Sequence, residues 1–146
     1  MKPFQFRLAR VLHLREGQLK TEEAKLEQLL LERARMESER DALEASLERA
    51  RASVKSQQFV NPADLVTLQL YDARVQRERK QWATRLTAHN NKVEAQKASV
   101  IEARGRVRLL EKLREKRETE WRSENDRALE ELAADFSAAQ WLRVQE

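Results

Sequence analysis

Residues 55–64 read KSQQFVNPAD, and this short stretch decides how the rest of the chain folds. Asn61 suits a helix N-cap, because its side-chain oxygen can take up a free backbone N–H. Pro62 fits the first helical position, where its missing N–H is not needed, and Asp64 places an acid in the first turn, where the helix dipole favours it. Ahead of this start, KSQQFV loses the apolar spacing seen on either side. One helix therefore ends near residue 54 and another begins near 62, across a turn of about residues 55–61 that is short enough to return the second helix antiparallel to the first.

Outward from the turn, each arm carries one sustained heptad seam. The first arm, about residues 4–54, presents Leu8, Leu12, Arg15, Leu19, Glu22, Leu26, Leu29, Arg33, Met36, Arg40, Leu43, Leu47, Ala50 and Val54 at alternating steps of four and three. The second arm, about residues 62–142, presents Leu65, Leu68, Asp72, Val75, Arg79, Trp82, Leu86, His89, Val93, Gln96, Val100, Ala103, Val107 and Leu110. Ten of fourteen positions are apolar in each, a pattern long enough to define a coiled-coil seam. The intervening charges are good helix formers whose close opposite pairs contribute about 0.2 to 0.5 kcal/mol each.

Folding at the turn predicts the layers. Met36 falls beside Trp82, Leu26 beside Val93, Leu12 beside Val107 and Leu8 beside Leu110. Glu22 meets Gln96, so two polar breaks share a layer. Arg40 faces Arg79, a layer tolerable only if the guanidinium groups reach solvent or find acids nearby. The expected architecture is all-α: a long two-stranded antiparallel coiled-coil hairpin with an overhanging C-terminal helix, one elongated domain over residues 1–146.

Composition agrees with that class. Charged residues make up 37% of the chain, aromatics 5%, and there are only two glycines and two prolines, a long-helix profile. The charge signs are interspersed and the apolar residues periodic, which argues against disorder. No cysteine is present, so disulfides and thiolate chemistry are excluded. No apolar run approaches the roughly 20 residues needed to span a bilayer, and MKPFQFRLARVL lacks the features of a secretory signal. The expectation is a cytoplasmic protein.

The arms are unequal. The first is used up near Leu110, while the second runs on, reaching on the order of 120 Å at about 1.5 Å per residue and expected to be unpaired beyond about residue 113. Charge is also partitioned. Residues 1–20 carry five Lys/Arg against Glu16, and residues 104–117 carry seven against Glu111 and Glu115. From residue 118 onward there are eight acids against Arg122, Arg127 and Arg143. The two ends of the chain thus meet in a basic root, from which an acidic tip projects.

Catalytic signatures are missing. His13 and His89 are far apart; His89 fills a seam position and reads as a core polar residue, His13 as a solvated one. There is no phosphate-binding glycine loop, dinucleotide fingerprint or HExxH motif. The carboxylates of a two-stranded coil face water, with no pocket to shift their pKa values. The chain reads as a non-enzyme with no cofactor and no metal site. Nucleic-acid binding by the basic root stays open as an alternative, weakened by the acidic neighbour and the single nearby aromatic, Trp121.

Two stretches carry a more specific likeness. Phe4-x-Phe6-Arg7-Leu8-x-x-Val11-Leu12-x-Leu14-Arg15-Glu16, together with Leu110-Glu111-Lys112-Leu113-x-Glu115-Lys116-Arg117 followed by Trp121, resemble the FliJ family of flagellar export proteins. Trp121 stands where many members have tyrosine. Asp126-Arg127-Ala128 and Glu130-Glu131 stand where members have Glu-Gln-Lys and an acidic pair.

The resemblance implies a non-catalytic stalk of the flagellar type III export apparatus, similar to the coiled-coil part of a rotary-ATPase gamma subunit. It implies three partners: the hexameric export ATPase, the cytoplasmic domain of the export-gate membrane protein, and chaperones of late substrates. It also implies a cytoplasmic location peripheral to the inner membrane; separately, a hairpin is expected to be a monomer in dilute solution. Carried over residue by residue, Phe4, Phe6, Arg7, Arg108, Lys112, Arg114, Arg117 and Trp121 are the expected ATPase-binding set. An injectisome stalk of the same plan, or a generic structural coiled coil, are the other readings.

Overall fold

Two helices make up most of the structure, a computed structural model that describes residues 2–145: α1, Ala9–Lys55, and α2, Pro62–Val144. Met1 and Glu146, the outermost positions of the expected 1–146 span, lie outside the described residues. The start of α2 follows its sequence. The backbone N–H of Ala63 donates to Asn61 Oδ1 at 3.1 Å, and those of Asp64 and Leu65 donate to the Asn61 carbonyl at 3.0 and 3.2 Å. The start of α1 corrects the expectation of a helix from about residue 4. Residues 2–6 are non-helical, Arg7 and Leu8 form a turn, and the Ala9 N–H donates to the Phe6 carbonyl at 3.1 Å. Pro3, which fixes its own φ and disfavours helix in the residue before it, belongs to this non-helical lead.

The chain falls into two compact units, Thr21–Ile101 and a second made of residues up to Lys20 with those from Glu102 onward. Within Thr21–Ile101 the helices pack side by side and antiparallel. Leu47, Val75 and Val93 are almost fully buried, with Leu86 and Val100 close behind. Leu26, Leu29, Met36, Leu43 and Trp82 are half-buried. Burial follows the expected seam while most neighbouring positions are exposed, so the hydrophobic contribution comes from one narrow stripe on each helix.

Polar groups tie the same stripe together. Gln96 Nε2 donates to the Glu22 carbonyl at 2.9 Å and to its carboxylate at 2.5 Å, the shared polar layer foreseen from the register. His89 is buried, with Nε2 2.7 Å from the Leu29 carbonyl oxygen. That carbonyl can only accept, so the imidazole carries its proton on Nε2. The expected layer of Arg40 facing Arg79 is resolved by acids. Arg79 donates two guanidinium N–H groups to both carboxylate oxygens of Glu44, and Arg40 turns to Asp41 at 3.3 Å. Arg51 reaches Asp72 at 3.0 Å, so this seam acid is also paired across the helices. Hydrogen bonding from Arg79 holds the Glu44 carboxyl below its ordinary value, and that from Gln96 does the same for Glu22. The Arg79 guanidinium is correspondingly held in its charged form.

In the other unit, Leu12, Ala103 and Val107 are buried and Leu19, Leu110 and Leu113 half-buried. Partial burial continues on α2 at Trp121, Asn125 and Ala128, whereas residues 129–145 are exposed. Among the described residues no helix is long and apolar enough to cross a membrane.

Candidate partner-binding surface

The unit that contains both chain ends holds all eight residues singled out from the sequence. Its distinguishing part is the non-helical lead. Phe4 and Phe6 are half-buried while Pro3, Gln5 and Arg7 are exposed. This is the two-residue alternation of an extended chain lying on a surface. The Phe4 ring meets the Trp121 indole with centroids 6.1 Å apart and planes tilted by 51°, within the range favoured by aromatic pairs.

The lead and α2 together enclose a cleft of about 720 Å³. Phe4, Phe6, Leu8, Leu113 and Trp121 give it an apolar lining, and Arg7, Arg117, Glu120 and Glu124 give it charged edges. Beyond about residue 113, where the overhang is expected to be unpaired, Leu113 and Trp121 are half-buried and residues 2–8 rather than a helix lie alongside. An extended segment covers more length per residue than a helix, about 3.3 Å against 1.5 Å, which lets a few residues reach so far along α2.

Of the predicted set, the structure brings Phe4, Phe6, Arg7, Arg117 and Trp121 to this cleft. Arg108, Lys112 and Arg114 are exposed on α2 and do not line it. Arg117 donates to Glu120 at 3.2 Å, and Arg122 to Glu118 at 2.7 Å, so the change from basic root to acidic tip is stitched by pairs within one turn. Such exposed pairs are worth little to stability. Leu113, Glu120 and Glu124 were missed as cleft residues. The period-two alternation of Pro3-Phe4-Gln5-Phe6-Arg7 was the signal that an extended segment would bring them in.

The cleft presents the paired rings of Phe4 and Trp121, an apolar lining and charged edges. Among the described residues no group of three or more His, Cys, Asp or Glu side chains is placed to hold a metal ion. Compared with family models, curated proteins and solved structures, the chain matches none.

Proposed function

We propose that this chain is a non-catalytic stalk of a flagellar type III protein export apparatus, built as an antiparallel coiled-coil hairpin. Its root binds the hexameric export ATPase, and the remainder connects to the export gate and substrate chaperones. The coiled-coil part rests on burial along the two seams: every position from Leu12 to Val54, and from Leu68 to Leu110, is withdrawn from full exposure. The stalk reading rests on one observation above all. The two stretches that resemble the FliJ family, one at each end of the chain, meet at the Phe4–Trp121 contact. A resemblance carried by separate motifs is stronger when those motifs build one surface.

In this role Phe4 and Trp121 supply apolar anchors, and Arg7, Arg108, Lys112, Arg114 and Arg117 steer the root toward an acidic ring interior. The protein is cytoplasmic, reaches the inner membrane only through its partners, and is monomeric in dilute solution. Replacing Arg114 and Arg117 together by Glu tests the reading. Binding to the export ATPase and stimulation of its turnover should fall at least tenfold with helicity unchanged; unchanged binding and turnover would defeat it.

A further inference from the structure

We infer that the acidic tip of α2 docks on the basic, apolar face of α1 near the root in a second copy of the same chain, forming a symmetric antiparallel dimer at elevated concentration. The tip carries an apolar stripe with no cover of its own. Leu129, Leu132, Phe136 and Ala139 recur at steps of three, four and three, and Leu132 and Phe136 are 62% and 73% exposed. Glu131 and Asp135 follow one edge of that stripe. Two tips do not suit each other, since residues 118–145 hold seven acids against three arginines.

The complementary surface is present in the same unit. On α1, Val11, Leu14 and Gln18 recur at steps of three and four, with Leu14 58% exposed although the buried seam runs along Leu12 and Leu19. Arg10, exposed, lies one turn before Leu14 on α1, and exposed Arg7 sits in the turn that leads into the helix. A second copy turned about a two-fold axis lays its tip along this face. Glu131 then meets Arg7, Asp135 meets Arg10, and Leu132 and Phe136 cover Val11 and Leu14. The same contact forms twice, as a two-fold interface requires.

Each exposed tip spans roughly 24 Å at about 1.5 Å per residue. Two such strips reach only the lower end of stable interfaces, about 1,200 Å² in total. An interface of this size suits a transient dimer, and dilute solutions hold monomer.

Sedimentation velocity of the full chain from about 1 to 300 μM reads this equilibrium directly. Monomer should give way to dimer as concentration rises, and raised salt should weaken the association. Leu132→Glu with Phe136→Glu should abolish it while circular dichroism shows the helices intact. The decisive arm is a charge swap. Arg7→Glu/Arg10→Glu and Glu131→Lys/Asp135→Lys should each fail to dimerise alone, yet pair with each other when mixed. A monomer at every concentration overturns the inference, as does a dimer indifferent to the swaps or a mixture that stays monomeric.

Discussion

Arg79 grips Glu44 with two guanidinium nitrogens, although the heptad register sets Arg79 level with Arg40. The fork of an arginine matches a carboxylate, so a repulsive layer becomes a paired one at the cost of about one helical turn of reach. Glu44 sits beside Leu43 rather than in the seam, where layer counting does not look.

The pairing sets a pH dependence. Glu44 and Glu22 both titrate below the ordinary glutamate value of 4.5 in the folded chain. The unfolded chain therefore binds protons first on acidification, and the stabilisation is present above pH 4.5 and lost as pH falls through the lowered values. Melting temperature should be level from neutral pH down to about 5 and fall below that. Glu44→Gln and Glu22→Gln should each lower the neutral plateau and flatten the acid limb. An acid limb as steep as the parent's in the double variant would show that other carboxylates carry the effect.

Buried positions in the stripe should respond by size and not by polarity. Leu47→Ala leaves a cavity and should cost about 2 to 4 kcal/mol, whereas Leu109→Ala, at 71% exposure, should change stability by less than about 0.5 kcal/mol. His89→Leu keeps the volume and frees only a hydrogen bond to a carbonyl that already serves the α1 helix, so its melting point should match or exceed the parent's. His89→Ala should melt lower. Urea unfolding of the four variants checks the order, and a His89→Leu variant as damaged as His89→Ala would mean the hydrogen bond outweighs packing.

Gly17 and Gly105 lie within continuous helices, and an added Cβ at either meets nothing within 4 Å. Alanine at each should stabilise the fold by about 0.5 to 1 kcal/mol through helix propensity and a less flexible unfolded chain. Thermal melts of the single and double variants should show additive gains. A loss at Gly105 would mean that the root needs a softer helix than it displays.

Trp121 reports on the lead segment. In a chain carrying Trp82→Phe and Trp141→Phe, its fluorescence should be partly shielded from acrylamide by Phe4. Removing residues 2–7, or Phe4→Ala, should raise the quenching constant and shift emission to the red. Equal quenching with and without the segment would show that the two rings do not stay together in solution.

Most of the fold was readable because one periodicity dominates it. Asn61-Pro62-Ala63-Asp64 marks a helix start with three independent signals, and the paired seams placed Glu22 with Gln96 from spacing alone. What escaped was set by reach rather than period. Long side chains such as Arg79 and Arg51 select acids off their own layer. The lead departs from the helical pattern where the two-residue Phe-x-Phe alternation lays it as an extended segment along α2, while the heptad rule continued through Leu8 regardless. For the same reason five of the eight candidate residues gather at the cleft, whereas Arg108, Lys112 and Arg114, named from a charge run and a motif, stay on the outer surface of α2.

The stalk reading stands or falls on whether the cleft end of the chain holds the export ATPase. Co-purification of the hexameric ATPase should therefore be compared between the full chain and one ending at Arg117, which lacks Trp121 and the tip but keeps both seams. The full chain should be retained on the ATPase and raise its turnover, and the shortened chain should do neither at equal concentration. Failure of the full chain to bind, or equal binding and stimulation by the two, would contradict the proposed role.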